Sequence, residues 1–78
     1  MNPKLLRYGR GLAGLTQGEL AELVGLDRTT INKYETGTLR MSNITRRGIL
    51  EELEKRGMGP DQLVSLAEII GEGVSIDE

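Results

Sequence analysis

Residues 14–37, with the sequence GLTQGELAELVGLDRTTINKYETG, contain two runs of helix-forming residues separated by one short break. Thr16 and Glu19 have the spacing of a capping box, in which each side chain bonds the backbone N–H of the other residue. Gly25 suits the left-handed backbone conformation in which many helices end. These signals predict a helix at about residues 17–24.

A second helix is predicted directly after this break, at about residues 28–36. Asp27 is a favourable N-cap residue, and Ile31 and Tyr34 fall on the side that would face a core. The opposite side spans an arc of roughly 140° at 3.6 residues per turn, and its side chains donate or accept hydrogen bonds. This polar side consists of Arg28, Thr29, Asn32 and Lys33. A helix that is anchored on one side and polar on the other is suited to contact a partner.

The rest of the chain also predicts helices, separated by glycine-rich breaks. A first helix is predicted from Pro3, with Asn2 as its cap, to about Leu12. A fourth is predicted at about residues 45–56, and a fifth at about residues 60–70. The residues expected to be buried are Leu5, Leu6, Leu12, Leu20, Ala21, Leu23, Val24, Ile49, Leu50, Leu53, Leu63, Leu66, Ala67 and Ile70.

These segments predict an all-α fold, a compact five-helix bundle that forms one domain over residues 1–71. A chain of this size buries only roughly 60% of the surface that its unfolded form exposes. Residues 72–78 are expected to form a flexible tail, although their V-S-I alternation would also permit a short strand.

Cysteine and histidine are both absent from the 78 residues. The sequence therefore predicts no disulfide, no thiolate or imidazole metal site and no histidine general base. A carboxylate pair in a pocket would be needed for catalysis, and a bundle this small has little volume for one. We expect no enzyme activity, no catalytic residue, no metal and no cofactor. No apolar run approaches the ~20 residues of a membrane span, so we expect no membrane association and a cytoplasmic location.

Charge is distributed unevenly along the chain, although the net charge is only −2. Residues 1–47 carry eight basic and four acidic residues, a net charge of +4. Residues 48–78 carry two basic and eight acidic residues, a net charge of −6. This asymmetry indicates one surface that attracts an anionic partner and another that would repel it.

Two helices joined by a three-residue turn containing glycine form the helix-turn-helix arrangement. The stretch GLTQGELAELVGL resembles the first helix and turn of the phage repressor/Cro-type (XRE-family) helix-turn-helix proteins. Gln17 begins this helix, Ala21 is the small residue where the two helices cross, and Gly25 is the turn. Ile31 matches a core position of the family's second helix. The resemblance is close over residues 10–37, and it implies a repressor-like bundle with the helix-turn-helix at helices 2 and 3.

The resemblance also implies that the partner is double-stranded DNA. In this family the second helix of the motif enters the major groove, and the first crosses the phosphate backbone. Arg10 and Glu35 are implied to pair across the helices, holding the first helix to the end of the third. The implied base-reading residues are Arg28, Thr29, Asn32 and Lys33. The implied phosphate-contacting residues are Gln17, Thr30, Arg40, Asn43 and Arg46.

Relatives of this kind bind as two-fold dimers to half-sites about one helical turn apart. The resemblance therefore implies a sequence-specific transcriptional regulator, a repressor that binds a (pseudo)palindromic operator as a homodimer. We expect it to respond to its own concentration and to bind no small-molecule ligand. The candidate dimer-interface residues are Met58, Leu66, Ile69 and Ile70, although the same apolar stripe could instead close the core of the monomer.

Other functions remain open on sequence alone. The chain could be the controller protein of a restriction–modification system or the antitoxin of a toxin–antitoxin pair, because both use the same helix pair. It could also be a protein-interaction module whose acidic C-terminal half holds a basic partner. The presence of Gln17, Arg28 and Lys33 favours DNA binding, because such a module has no need of a basic contact surface.

Overall fold

The computed structural model describes residues 1–71 and contains five α-helices in that part of the chain. They are α1 (Pro3–Leu12), α2 (Gln17–Val24), α3 (Arg28–Glu35), α4 (Asn43–Lys55) and α5 (Pro60–Ile69). No strand is present within residues 1–71, so the prediction of an all-α five-helix fold is confirmed. The predicted tail and its possible strand lie outside the described residues.

Each helix contributes at least one fully buried aliphatic side chain to a single core. Burying such a side chain stabilises the fold by roughly 1.5–3 kcal/mol. The helix α2 packs against α3 and α4, while α1 packs against α3 and α5. The seven largest fully buried side chains are Leu5, Leu6, Leu20, Ile31, Ile49, Leu53 and Leu63.

The start of α2 has the capping box that the sequence predicts. The Glu19 N–H donates to the Thr16 hydroxyl at 3.0 Å, and the Thr16 N–H donates to the Glu19 carboxylate at 2.9 Å. Gly25 ends the helix in the left-handed conformation, with φ of 75°. The following N–H, that of Leu26, donates to the Ala21 carbonyl at 2.8 Å. This tight turn brings α3 directly across α2.

The starts of α3 and α4 lie within two residues of the predicted positions but differ from the predictions in detail. Asp27 occupies the N-cap position of α3, but its side chain makes no capping hydrogen bond. The helix α4 begins at Asn43 rather than at residue 45, because the Ser42 hydroxyl caps it by accepting the Thr45 N–H at 3.2 Å. With this start, Ile44 lies on the outer side of α4 and is 81% exposed.

Leu12 and Leu23 were predicted to be buried, and both are exposed. Leu12 is the last residue of α1 and is 64% exposed. Leu23 lies to one side of the buried Leu20 and Ala21, because each residue turns the helix by about 100°. Both leucines have the right general spacing for a core, but the neighbouring helices cover only the centre of each apolar face.

Gly9, in the middle of α1, lies where α1 meets α5. A Cβ atom placed on Gly9 would be 3.1 Å from Leu63 Cδ2 and 3.8 Å from Leu53 Cδ1. Glycine in a helix costs about 1 kcal/mol relative to alanine, and here the missing side chain lets the backbone approach these buried leucines. Close packing of α1 on α5 therefore depends on this residue.

Candidate nucleic-acid interface

The outer face of α3 carries all four predicted base-reading residues. Ile31 is fully buried and Tyr34 nearly so, and these two side chains anchor the helix in the core. On the other side, the fold leaves four polar side chains open to solvent, and two of them are cationic. These exposed residues are Arg28, Thr29, Asn32 and Lys33.

Behind this face, an ion pair joins the end of α1 to the end of α3. Arg10 donates from Nε to Glu35 Oε2 at 2.6 Å and from Nη2 to Glu35 Oε1 at 3.1 Å. The third guanidinium nitrogen, Nη1, donates to the Leu15 carbonyl at 2.8 Å. Two parallel N–H···O contacts fix the relative geometry of two helices better than one contact would. The side chain of Glu35 is only 3% exposed.

The side chain of Gln17 extends this network to the outer face. Its Nε2 donates to Glu35 Oε1 at 3.0 Å, while its Oε1 accepts from Arg28 Nη1 at 3.4 Å. A continuous chain of hydrogen bonds therefore runs from Arg10 through Glu35 and Gln17 to Arg28. The family resemblance implied only a phosphate contact for Gln17. The sequence did not reveal these hydrogen bonds, because no spacing rule connects residues that are 11 or 18 positions apart.

The predicted phosphate-contacting residues fall into two groups. Gln17 and Thr30 are half-buried, on α2 and α3 respectively. The others lie together where the loop after α3 enters α4, and Arg46 Nη2 donates to Asn43 Oδ1 at 3.5 Å. This second group consists of Arg40, Asn43 and Arg46, which line one cleft.

The candidate dimer residues divide between the core and the surface. Met58 and Leu66 are each only 8% exposed and belong to the core of the monomer, in line with the alternative that the stripe closes the core, and their part in a dimer stays a prediction. Ile70 is half-buried against the same core. Ile69, by contrast, is 80% exposed. It lines a shallow groove that also includes Leu12, which the sequence had placed in the core.

The acidic half of the chain contains a small charge cluster at the end of α4. Glu52 accepts from Lys55 Nζ at 3.2 Å and from Arg56 Nη1 at 3.0 Å. The hydrogen bond from Lys55 lowers the pKa of the Glu52 carboxyl, and Arg56 adds to this effect against an opposing contribution from desolvation. Both basic residues of the C-terminal half therefore interact with one carboxylate.

Two helices joined by a three-residue turn, with the second anchored in the core and polar outside, define a helix-turn-helix DNA-binding protein. The helix-turn-helix family model matches residues 6–47, more than half of the chain. The chain belongs to this family, in its XRE (Cro/C1) type, and is a DNA-binding transcription regulator. No curated protein and no solved structure matches the chain significantly. None of the helices within residues 1–71 is both long and apolar enough to cross a membrane.

Proposed function

We propose that this protein is a repressor that binds a (pseudo)palindromic operator as a homodimer, with α3 of each protomer in the major groove. Two half-sites about one helical turn apart would then place both recognition helices on one side of the duplex. Occupying a promoter in this way excludes the transcription machinery. The operator occupancy would follow the concentration of the repressor itself.

The exposed face of α3 is the observation that carries this proposal. Arg28 can donate two hydrogen bonds to O6 and N7 of a guanine, a contact that discriminates between bases by about 1–3 kcal/mol. Thr29 can place its methyl group against the methyl group of a thymine. Asn32 and Lys33, further along the helix, reach either base edges or phosphates. The buried anchors behind this face limit how far these side chains can move.

The phosphate contacts would flank α3 on two sides. Gln17 lies at the start of α2, where the first residues of the helix also offer backbone N–H groups to an anion, and Thr30 lies in the first turn of α3. Arg40, Asn43 and Arg46 form the other side, at the start of α4. Each cation that neutralises a phosphate releases condensed counterions, so this arrangement predicts binding that weakens steeply with salt.

The dimer would form through the exposed part of the apolar stripe rather than through all of it. Ile69 and Leu12 leave large apolar surfaces in solvent on one groove, with the edges of Met58 and Leu66 at its base. Burial of such surfaces against a second copy is favourable by about 25 cal/mol per Å². The acidic residues of the C-terminal half would face away from DNA, because facing phosphate would cost repulsion.

Selection of bound sequences from a random DNA pool tests this proposal directly. We expect one enriched motif with two-fold symmetry, and we expect Arg28→Ala to lose the preference at one base of each half-site. Lys55→Ala is the matched control, because it removes the same charge at the far end of α4, and it should retain the motif. An unenriched pool, or a motif unchanged by Arg28→Ala, would contradict the proposal. A stoichiometric protein partner recovered from nuclease-treated lysate, without DNA affinity, would instead favour the protein-interaction module.

A further inference from the structure

The side-chain amide of Gln17 lies between a carboxylate and a guanidinium group. On one side its Nε2 donates to Glu35 Oε1 at 3.0 Å, and on the other its Oε1 accepts from Arg28 Nη1 at 3.4 Å. The Glu35 side chain is only 3% exposed, whereas Arg28 is exposed on the outer face of α3. Gln17 therefore connects a buried anion to one of the residues proposed to read bases.

Both neighbours of the Gln17 amide require the same orientation of this group. An ionised carboxylate only accepts hydrogen bonds, and a guanidinium group only donates them. If the amide were flipped, its oxygen would face the Glu35 carboxylate and its NH2 group would face the Arg28 guanidinium. Both contacts would then be repulsive. The chemistry of the two neighbours therefore fixes the Gln17 oxygen toward Arg28.

Glu35 is itself held in place by Arg10. Arg10 Nε donates to Glu35 Oε2 at 2.6 Å. Arg10 Nη2 donates at 3.1 Å to Glu35 Oε1, the same atom that accepts from Gln17. Two parallel bonds from a guanidinium group define the geometry of a carboxylate better than a single bond does. The atom that receives the Gln17 amide therefore has a defined position at the end of α3.

We propose that Glu35 is a positioning residue for base recognition, because it holds the Gln17 amide in the one orientation that presents an acceptor to Arg28. This inference rests on the proposed function, in which Arg28 reads a base. The bond to Gln17 restricts the Arg28 side chain before DNA binds, so less conformational entropy is lost when the guanidinium meets a guanine. Glu35 lies at the opposite end of α3 from Arg28 and acts on it through Gln17.

Glu35→Gln is the first test, because it replaces one carboxylate oxygen by an NH2 group. The shorter Arg10 contact, to Oε2, keeps the remaining oxygen on that side, so the new NH2 group takes the place of Oε1. A donor at that position faces the Gln17 NH2 group, which turns the Gln17 amide over and places a donor against Arg28. We expect discrimination at the base contacted by Arg28 to fall about five-fold, the effect of one ordinary hydrogen bond.

Exchanging the two groups should restore recognition. In the double variant Glu35→Gln, Gln17→Glu, the amide at position 35 donates to the carboxylate at position 17, which still accepts from Arg28. Discrimination should return to within about two-fold of the native value, because the two substitutions act on one contact. Gln17→Glu alone sets two carboxylates against each other and should lower discrimination. A loss caused only by a weaker scaffold would not be reversed by the second substitution.

Fluorescence anisotropy measures this discrimination as the ratio of two dissociation constants, for the selected operator and for a version changed at the Arg28 base. Partial unfolding weakens binding of both sequences by the same factor and cancels in the ratio. Glu52→Gln is the matched control, because Glu52 also accepts from two basic side chains but lies near the end of α4. It should leave the ratio unchanged. A native ratio in Glu35→Gln, or a double variant no better than Glu35→Gln, would overturn the inference and leave the proposed function intact.

A second measurement needs no DNA. In spectra of isotope-labelled protein, Glu35→Gln should shift the side-chain amide signals of Gln17 and the Nε–H signal of Arg28, and the double variant should bring the Arg28 signal back. Glu52→Gln should leave both sets of signals in place. Unchanged Gln17 and Arg28 signals in Glu35→Gln would overturn the inference whatever the protein binds. The expected shifts in a protein without sequence preference would contradict the proposed function alone, since Glu35 would still orient Arg28.

Discussion

Arg10 and Glu35, 25 residues apart in the chain, form a two-point ion pair that joins the end of α1 to the end of α3. The Glu35 side chain is almost fully buried, so its charge has little water to solvate it. Removing one partner of such a pair leaves an uncompensated buried charge, which costs more than the pair itself contributes. The position of the recognition helix therefore depends on a contact that lies behind it.

Arg10→Ala is expected to lower the free energy of unfolding by about 3 kcal/mol. This loss has two causes: the Glu35 carboxylate no longer has its cation, and the Leu15 carbonyl no longer accepts a hydrogen bond from Arg10. Urea denaturation measures this change. Arg7→Ala is the control on the same helix: Arg7 is exposed, lies 6.0 Å from the Tyr8 ring centre, and its removal should cost no more than about 0.5 kcal/mol. Similar losses in the two variants would show that the Arg10–Glu35 pair contributes no more than an exposed charge.

Gln17→Ala is expected to relax base specificity, because Arg28 loses the side chain that accepts its hydrogen bond. Discrimination at the base contacted by Arg28 should fall about five-fold, the effect of one ordinary hydrogen bond near 1 kcal/mol. Fluorescence anisotropy with the selected operator and with a version changed at that base measures the ratio. Glu51→Gln, on the exposed side of α4 and outside the groove around Ile69, is the control. A uniform loss of affinity for both sequences would leave Gln17 with its proposed phosphate contact but with no part in positioning Arg28.

Gly9→Ala and Gly11→Ala should change stability in opposite directions, although both glycines lie in α1. Nothing lies within 4 Å of a Cβ placed on Gly11, so alanine there should stabilise the fold by about 0.5–1 kcal/mol through helix propensity. At Gly9 the added methyl would press on Leu63, and overpacking should destabilise the fold by about 1 kcal/mol. Thermal unfolding of both variants shows whether each substitution raises or lowers the stability of the fold. If Gly9→Ala stabilised the fold as much as Gly11→Ala, the Leu63 side chain would have to move aside at no energetic cost.

Ile69→Ser is expected to shift the protein from dimer to monomer, because the exposed isoleucine is the main apolar contact available on the groove. Sedimentation at several concentrations should show at least a ten-fold weaker dimer. Ile44→Ser is the matched control, since Ile44 is an equally exposed isoleucine outside this groove. A native protein that stays monomeric with operator present, or an Ile44→Ser variant with the greater effect, would contradict the proposed dimer surface.

The Glu52 cluster predicts a small, salt-sensitive contribution to stability at neutral pH. The hydrogen bond from Lys55 lowers the pKa of the Glu52 carboxyl in the folded state. The ionised carboxylate therefore stabilises the fold at any pH above the pKa that Glu52 has in the unfolded chain. This stabilisation is lost as the pH falls through the lower pKa of Glu52 in the folded protein. Stability of the native protein should therefore exceed that of Glu52→Gln near pH 7, and the difference should vanish in acid. About 1 M salt should also weaken it, because Lys55 and Arg56 lie at the surface, where salt screens their charges. A difference that persists in acid would point to a cause other than ionisation.

Much of the architecture could be predicted because its signals are local. The capping box of Thr16 and Glu19 and the left-handed turn at Gly25 depend on residues only a few positions apart, and both are present in the structure. The 3.6-residue spacing of Ile31 and Tyr34 likewise separates the buried side of α3 from its polar side. Such patterns were sufficient to identify the helix-turn-helix and the family.

The tertiary structure alone decided which apolar residues are covered and what holds Arg28. Leu12 and Leu66 both have core spacing, yet Leu12 lies in solvent and Leu66 in the core, because coverage depends on which helices pack there. The contacts of Gln17 with Glu35 and Arg28 join α2 to both ends of α3 and follow from no local pattern. Local chemistry determines where helices begin and end, whereas contacts between distant residues appear only when the helices pack together.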